Sequence, residues 1–200
     1  DDLDVAMPRN DYNRFLKICE TELNGKYYLH SISTDEEYWL PFSKIRKKNT
    51  LFDEANISHL DVPKGIYVDV FPLDDEFKEN SLEKKLRTKL LKSLNSIIVN
   101  KKRFYANKKK TFKTVIRNIV TFLFSPFSIK KIQSFQIRLM SKNNNKGGKY
   151  YANYGSNYDP IKQTMPKSVY EPARLIEFEK NLYSAPNDYE YMLKRIYGDK

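Results

Sequence analysis

The sequence predicts an α+β protein: a mixed sheet with helices over the first 80 residues, then a basic, mostly helical elaboration. Three observations carry this. Before residue 75, β-rich segments are interleaved with one amphipathic helix, whereas after residue 81 apolar residues recur at helical spacing. Residues 81–150 hold 19 Lys and Arg and a single acid, Glu83, while the other 130 residues hold 17 Lys and Arg against 24 Asp and Glu. A 200-residue chain that is 40% hydrophobic and 14% aromatic can also bury a core, which excludes wholesale disorder. Only 6 Gly and 9 Pro exclude collagen-like and low-complexity classes. The single cysteine, Cys19, excludes an internal disulfide framework and a cysteine-based zinc site, and two histidines argue against a histidine-rich metal centre.

Each element has its own signal. Residues 1–6 read as the end of a strand. A helix runs between Pro8 and Gly25, with Tyr12, Phe15, Leu16, Cys19 and Leu23 on one stripe. Two β-rich segments, Lys26–Ile32 and Tyr38–Lys47, flank an acidic turn at Asp35, Glu36 and Glu37. A loop over 49–63 leads to the β-branched and aromatic run Gly65–Leu73. From Ser81, Leu82, Leu86, Leu90, Leu94 and Ile98 are expected to line one helical face. A second apolar segment, Val115–Phe124, stops at Ser125-Pro126, and a third helix runs from Ser128 to Met140. The tail is expected to form aromatic loops and a short helix with Tyr189, Met192, Leu193 and Ile196 on one face. The organisation is therefore a core over 1–80, a basic elaboration over 81–148 and a C-terminal part over 149–200 that packs back on the core. No apolar stretch free of charge exceeds the 12 residues of 118–129, too short to span a bilayer.

The carboxylates carry the chemistry. Asp2 and Asp4 are two residues apart, so on a strand both leave one face and converge on one cation. Asp69 sits within Ile66-Tyr67-Val68-Asp69-Val70-Phe71, which otherwise reads as a core strand; a buried carboxylate there calls for a partner, a metal or a role. The alternatives are a solvated acidic terminus for Asp2 and Asp4, and a loop cap or ion pair for Asp69. Three carboxylates on neighbouring strands make a hard, oxygen-rich site suited to Mg²⁺, with Mn²⁺ as the other candidate.

Around these residues, Arg9, Lys44 and Arg46 are candidate phosphate contacts, with ordinary pairing to Asp11, Asp35 or Glu36 as the alternative. The tyrosine-rich stretch 150–158, with Tyr154 at its centre, is a candidate platform for a sugar or a quaternary ammonium, or else a lid of rings on the core. Glu179 reads first as a helix-edge or salt-bridge residue.

Asp-Asp-Leu-Asp-Val-Ala-Met-Pro-Arg-Asn-Asp-Tyr at 1–12 resembles the D-D-x-D-x-x-M-x-R-x-D-Y signature of the LicD family of phosphocholine transferases and related phosphotransferases, the fukutin-related proteins among them. The resemblance continues through Phe42-Ser43-Lys44-Ile45-Arg46 with Thr50, through Gly65-Ile66-Tyr67-Val68-Asp69-Val70-Phe71-Pro72-Leu73-Asp74, and into Leu193-Lys194-Arg195-Ile196-Tyr197-Gly198-Asp199. It implies a nucleotidyltransferase-like fold in which Asp2 and Asp4 form the metal-binding pair and Asp69 the third ligand. The implied reaction moves a phospho-alcohol, often phosphocholine from CDP-choline, onto a hydroxyl of a cell-surface glycan such as lipopolysaccharide or teichoic acid. The family's glycine-containing loop and Pro-Trp-Asp lead-in precede its acidic motif and do not occur in these 200 residues. The chain is therefore expected to be a piece of a longer product.

The basic middle implies an anionic partner. Val115, Ile116, Ile119, Val120, Phe122, Leu123 and Phe124 beside many lysines suit an interfacial helix on anionic lipid, which would place the protein in the cytoplasm at the inner face of the membrane. A lipid-linked glycan acceptor fits that placement. Nucleic acid is the competing partner and ranks lower, because no helix-turn-helix, RNP or zinc pattern is readable. A non-catalytic domain that binds through the basic helices is the remaining alternative.

Overall fold

The computed structural model describes residues 4–23, 25–54, 57–102 and 111–199. The chain is a mixed α+β protein. Its main sheet has six strands: β1 (Asp4–Pro8), β2 (Tyr27–His30), β3 (Ser43–Lys47), β4 (Tyr67–Glu76), β5 (Tyr150–Ala152) and β6 (Thr164–Pro166). They run in the order β2-β3-β4-β5-β6, with β1 also paired to β4. β4 is the hub. It takes β1 in parallel register from Asp4↔Asp69 to Pro8↔Leu73, and β3 in antiparallel register from Ser43↔Val70 to Arg46↔Tyr67. Its far end, Asp74–Glu76, pairs with β5. Because β1 and β3 both pair with Asp69 and Val70, they lie on opposite edges of β4.

Helix α1 (Arg9–Glu22) follows β1 without a side-chain cap and buries Tyr12 and Cys19 from the expected stripe. The Tyr12 and Ser43 hydroxyls share a hydrogen bond of 2.5 Å, which ties α1 to β3. The segment from Tyr38, expected to be strand, pairs only from Ser43 onward. Its first residues instead drive aromatic rings inward, with Tyr38 0% and Trp39 4% exposed.

Three helices form the basic middle: α2 (Leu82–Lys101), α3 (Phe112–Leu123) and α4 (Ile129–Met140). Ser81, Thr111 and Ser128 cap them, each accepting from the backbone N–H three residues on. Leu94, Ile97 and Ile98 of α2 meet Ile129 and Ile132 of α4 around Trp39 and Ile57, forming the largest apolar cluster.

The expected face of α2 is only half realised. Leu94 and Ile98 point inward, but Leu82, Leu86 and Leu90 are 74%, 58% and 42% exposed. A strict four-residue spacing advances about 40° beyond a full turn at each step, so the leucine stripe spirals off the packed face. The N-terminal half of α2 buries Lys84 and Arg87 instead. Lys84 Nζ donates to the Glu79 carbonyl and to Thr164, and burial brings its pKa down to about 8.

The tail departs further from expectation. It contains β5, β6 and a separate hairpin of β7 (Arg174–Phe178) and β8 (Asn181–Ala185), with α5 (Lys167–Tyr170) before the hairpin and α6 (Tyr189–Tyr197) after it. The hairpin turns at Glu179 and Lys180, both at positive φ (48° and 66°), so Glu179 is a turn residue. No helix among the described residues is long and apolar enough to cross a membrane.

Candidate active site

Register builds the site. Residues directly opposite one another on neighbouring strands share a face. The pairs His30↔Lys44, Lys44↔Asp69 and Asp69↔Asp4 therefore set one row of polar side chains across β2, β3, β4 and β1. Of the two carboxylates, Asp4 is exposed and Asp69 half-buried. Asp2, expected as their companion, lies outside the described residues. Among the described residues, no three acidic, histidine or cysteine side chains gather as a metal site. Asp4 and Asp69 do present carboxylate oxygens side by side on one face, the hard donor chemistry that suits Mg²⁺.

Lys44 is the cation of the row. Its Nζ donates to Asp69 Oδ1 at 2.6 Å and lies 3.3 Å from the centroid of the Tyr67 ring. Burial lowers its pKa, with the Asp69 carboxylate opposing that shift. One pleat away, Arg46 is 1% exposed. Its Nε donates to His30 Nδ1 at 3.0 Å and its Nη1 to the Gly65 carbonyl at 2.9 Å, while Nη2 finds no partner. His30 must then carry its proton on Nε2, which faces Asp35 Oδ2 at 3.1 Å. Burial pulls the His30 pKa down to about 4, because a second N–H would confront Arg46 in a closed space.

Gly65 and Thr50 fasten the loop beneath this row. A side chain at Gly65 would meet the Lys47 carbonyl oxygen at 2.5 Å. Thr50 accepts from the Ile66 N–H and donates to the Lys47 carbonyl. The lysine motif and the Asp69 strand thus form one hydrogen-bonded unit.

Two candidate residues lie on the other side of β4. Strand alternation turns Asp74 and Glu76 away from the face of Asp69. Arg9 meets Asp74 through two hydrogen bonds of 2.8 and 2.7 Å, with Asp74 wholly buried and also held by Asn144. Tyr154 is likewise buried. It donates to Glu76 at 2.6 Å and accepts from Arg87, and burial together with Glu76 drives its hydroxyl pKa far up. Arg9 and Tyr154 therefore brace the sheet from behind, in a polar layer that Glu76, Arg87 and Asn143 complete.

Another aromatic pair remains open to solvent. Tyr158 and Tyr197 stand edge to face, with centroids 5.6 Å apart, and remain 46% and 52% exposed. Burial and then the Tyr158 hydroxyl raise the Tyr197 pKa, with the Asp4 charge adding in the same direction. Tyr158 lay within the tyrosine-rich stretch already singled out. Tyr197 lay within the closing motif at 193–199, but its pairing with Tyr158 was not legible, since it depends on how α6 packs.

The comparisons with known proteins agree with the motifs. Over 202 residues, spanning the whole chain and 73% of the relative, the sequence is 27% identical to the lipopolysaccharide cholinephosphotransferase LicD of Haemophilus influenzae. No protein-family model matches the chain, and no solved structure matches it. The ordered motifs, the strand register that aligns their acids and this likeness over the full length all point the same way: the chain is similar to LicD from end to end.

Proposed function

We propose that this chain carries the transfer of phosphocholine from a CDP-linked donor, CDP-choline, to a hydroxyl of a cell-surface glycan. The observation that carries the reading is the Asp4–Asp69–Lys44 row on three adjacent strands, in a chain similar throughout to a protein named for transferring cholinephosphate on lipopolysaccharide.

Asp4 and Asp69, with Asp2 beside them in sequence, are the residues that would hold Mg²⁺ or Mn²⁺. Such an ion supplies neutralisation of the donor's pyrophosphate charge. The chain's own groups do the rest. Lys44 puts a second positive charge on the same face, next to the phosphorus that is attacked. Asp69 takes the proton from the acceptor hydroxyl as its oxygen bonds to the phosphorus of phosphocholine. The bond from that phosphorus to the CMP oxygen breaks, and CMP leaves with the electron pair. Proton removal by a positioned side chain contributes roughly 10²–10⁴-fold. The exposed Tyr158 and Tyr197 faces suit the trimethylammonium of choline, at about 0.5–2 kcal/mol per ring. Arg9, Arg46 and Tyr154 act as positioning residues that hold the strands in register. A nucleotide-linked donor puts the reaction in the cytoplasm, where such donors are made.

Calorimetric titration of CDP-choline, CDP-ribitol and CDP-glycerol, each with and without Mg²⁺, tests the reading on this chain and on Asp69→Asn. Metal-dependent binding of CDP-choline that disappears in the variant is the expected result. Binding that ignores both the metal and the substitution would remove Asp69 from the site, and preference for another donor would reassign the cargo.

A further inference from the structure

Helix α3 packs with its polar side inward. Arg117 Nε donates to Asn100 Oδ1 at 3.2 Å, and Asn100 Nδ2 donates in turn to Asn118 and to Thr121 at 2.8 Å. Val120 and Phe124, on the same inner side, reach the core cluster of α2 and α4. The outer side is the apolar one. Phe112, Val115, Ile116, Ile119, Phe122 and Leu123 are 80%, 49%, 47%, 56%, 76% and 66% exposed. At 100° per residue these six fall within an arc of about 120°, the width of a stripe that normally faces a core. Here it faces outward on a helix already anchored through its other side, and Phe127, half exposed just beyond it, extends the patch. Exposed apolar surface this continuous marks an interaction site.

Charge selects the occupant. There is no acidic residue between Glu83 and Asp159, so α3 and its neighbours in sequence are neutral or basic. Lys101 ends α2 and Lys102 follows it, Arg103, Lys108, Lys109 and Lys110 precede α3 in sequence, and Lys130 and Lys131 open α4; Lys102 and Lys130 are paired with Glu37 and Glu36, which offsets part of that charge. An apolar helical face within a lysine-rich, acid-free segment has the composition of a helix lying in the interface of an anionic bilayer. We propose that the outer face of α3 inserts into the headgroup region of a membrane bearing anionic lipid, with the surrounding lysines on the phosphates. This docking stands on α3 alone and does not depend on the transfer reaction.

The test is flotation of the chain with vesicles of phosphatidylcholine alone and of phosphatidylcholine mixed with phosphatidylglycerol, at low and high salt. Ile119→Glu and Phe122→Glu are compared with the unaltered chain, and circular dichroism melts establish that both variants fold. Sedimentation velocity on the same samples reports self-association. The expected result is binding to the mixed vesicles, weakened by salt and reduced at least tenfold in both variants, with little binding to phosphatidylcholine alone. No binding to either vesicle would overturn the proposal. So would binding that persists in folded variants, since lysines alone would then carry it. A dimer that the glutamates dissociate, without vesicle binding, would give the face to a second copy and overturn the proposal equally.

Discussion

At the scale of single residues, strand register decides which side chains meet. Lys44 and Asp69 are 25 positions apart but directly opposed, and their 2.6 Å contact joins the lysine motif to the more specific Asp69 motif. That Asp69 needs a partner was legible, because an acid in an apolar strand demands one; that Lys44 is the partner was not, since the sequence offered Asp11, Asp35 or Glu36 for the lysine and only strand register brings it opposite Asp69. The roles of Arg9 and Tyr154 were not legible, because which face of β4 they approach depends on packing across the sheet.

His30 provides a test by pH. Its folded pKa lies near 4 against an ordinary 6.5, so the unfolded chain takes up the proton first as pH falls. Stability is thus unaffected above pH 6.5 and declines between 6.5 and 4, by about 3 kcal/mol in total from this group. Denaturant unfolding of the unaltered chain and of His30→Gln across that window should show a shallower decline in the variant; parallel declines would contradict the assignment. Gly65→Ala should cost about 1–3 kcal/mol by the same measurement, because its methyl would displace the Lys47 carbonyl. An unchanged midpoint would mean the loop yields freely.

Whole elements were readable where the pattern was long and misread where it was short or drifting. The α2 leucines show the drift: the repeat was correct as a helix signal and incorrect as a face. Leu94→Ala should therefore destabilise by about 2–5 kcal/mol, and Leu82→Ala by no more than about 0.5 kcal/mol. Thermal melts of the two variants separate these expectations, and equal losses would restore the original stripe. The strands of the tail escaped notice for another reason. β5 and β6 have three residues each, too few to display alternation. The β7–β8 hairpin turns on Glu179-Lys180, where Asn-Gly would have announced it.

Across the whole molecule, the parts of the sequence that differ in charge supply different elements, although they share the apolar cluster around Trp39 and Ile57. The acidic body supplies the sheet and its row of carboxylates, and the basic middle supplies three capped helices, one with an apolar face turned outward. The catalytic reading and the membrane reading therefore occupy different elements, and each can fail without the other. Lys44→Met should lower phosphocholine transfer at least about tenfold, since it removes the charge-assisted partner of Asp69, whereas Phe122→Glu should leave transfer to a soluble acceptor unchanged. Steady-state rates of CMP release measure both, and equal effects would mean the two regions work as one.

The most direct measurement of the central claim is transfer of labelled phosphocholine from CDP-choline to lipopolysaccharide in the presence of Mg²⁺, comparing the chain with its Asp69→Asn variant. Label on the glycan and stoichiometric CMP are expected with the unaltered chain, and a loss of at least about 10³-fold in a variant that remains folded. Label incorporated equally by both proteins would contradict the claim.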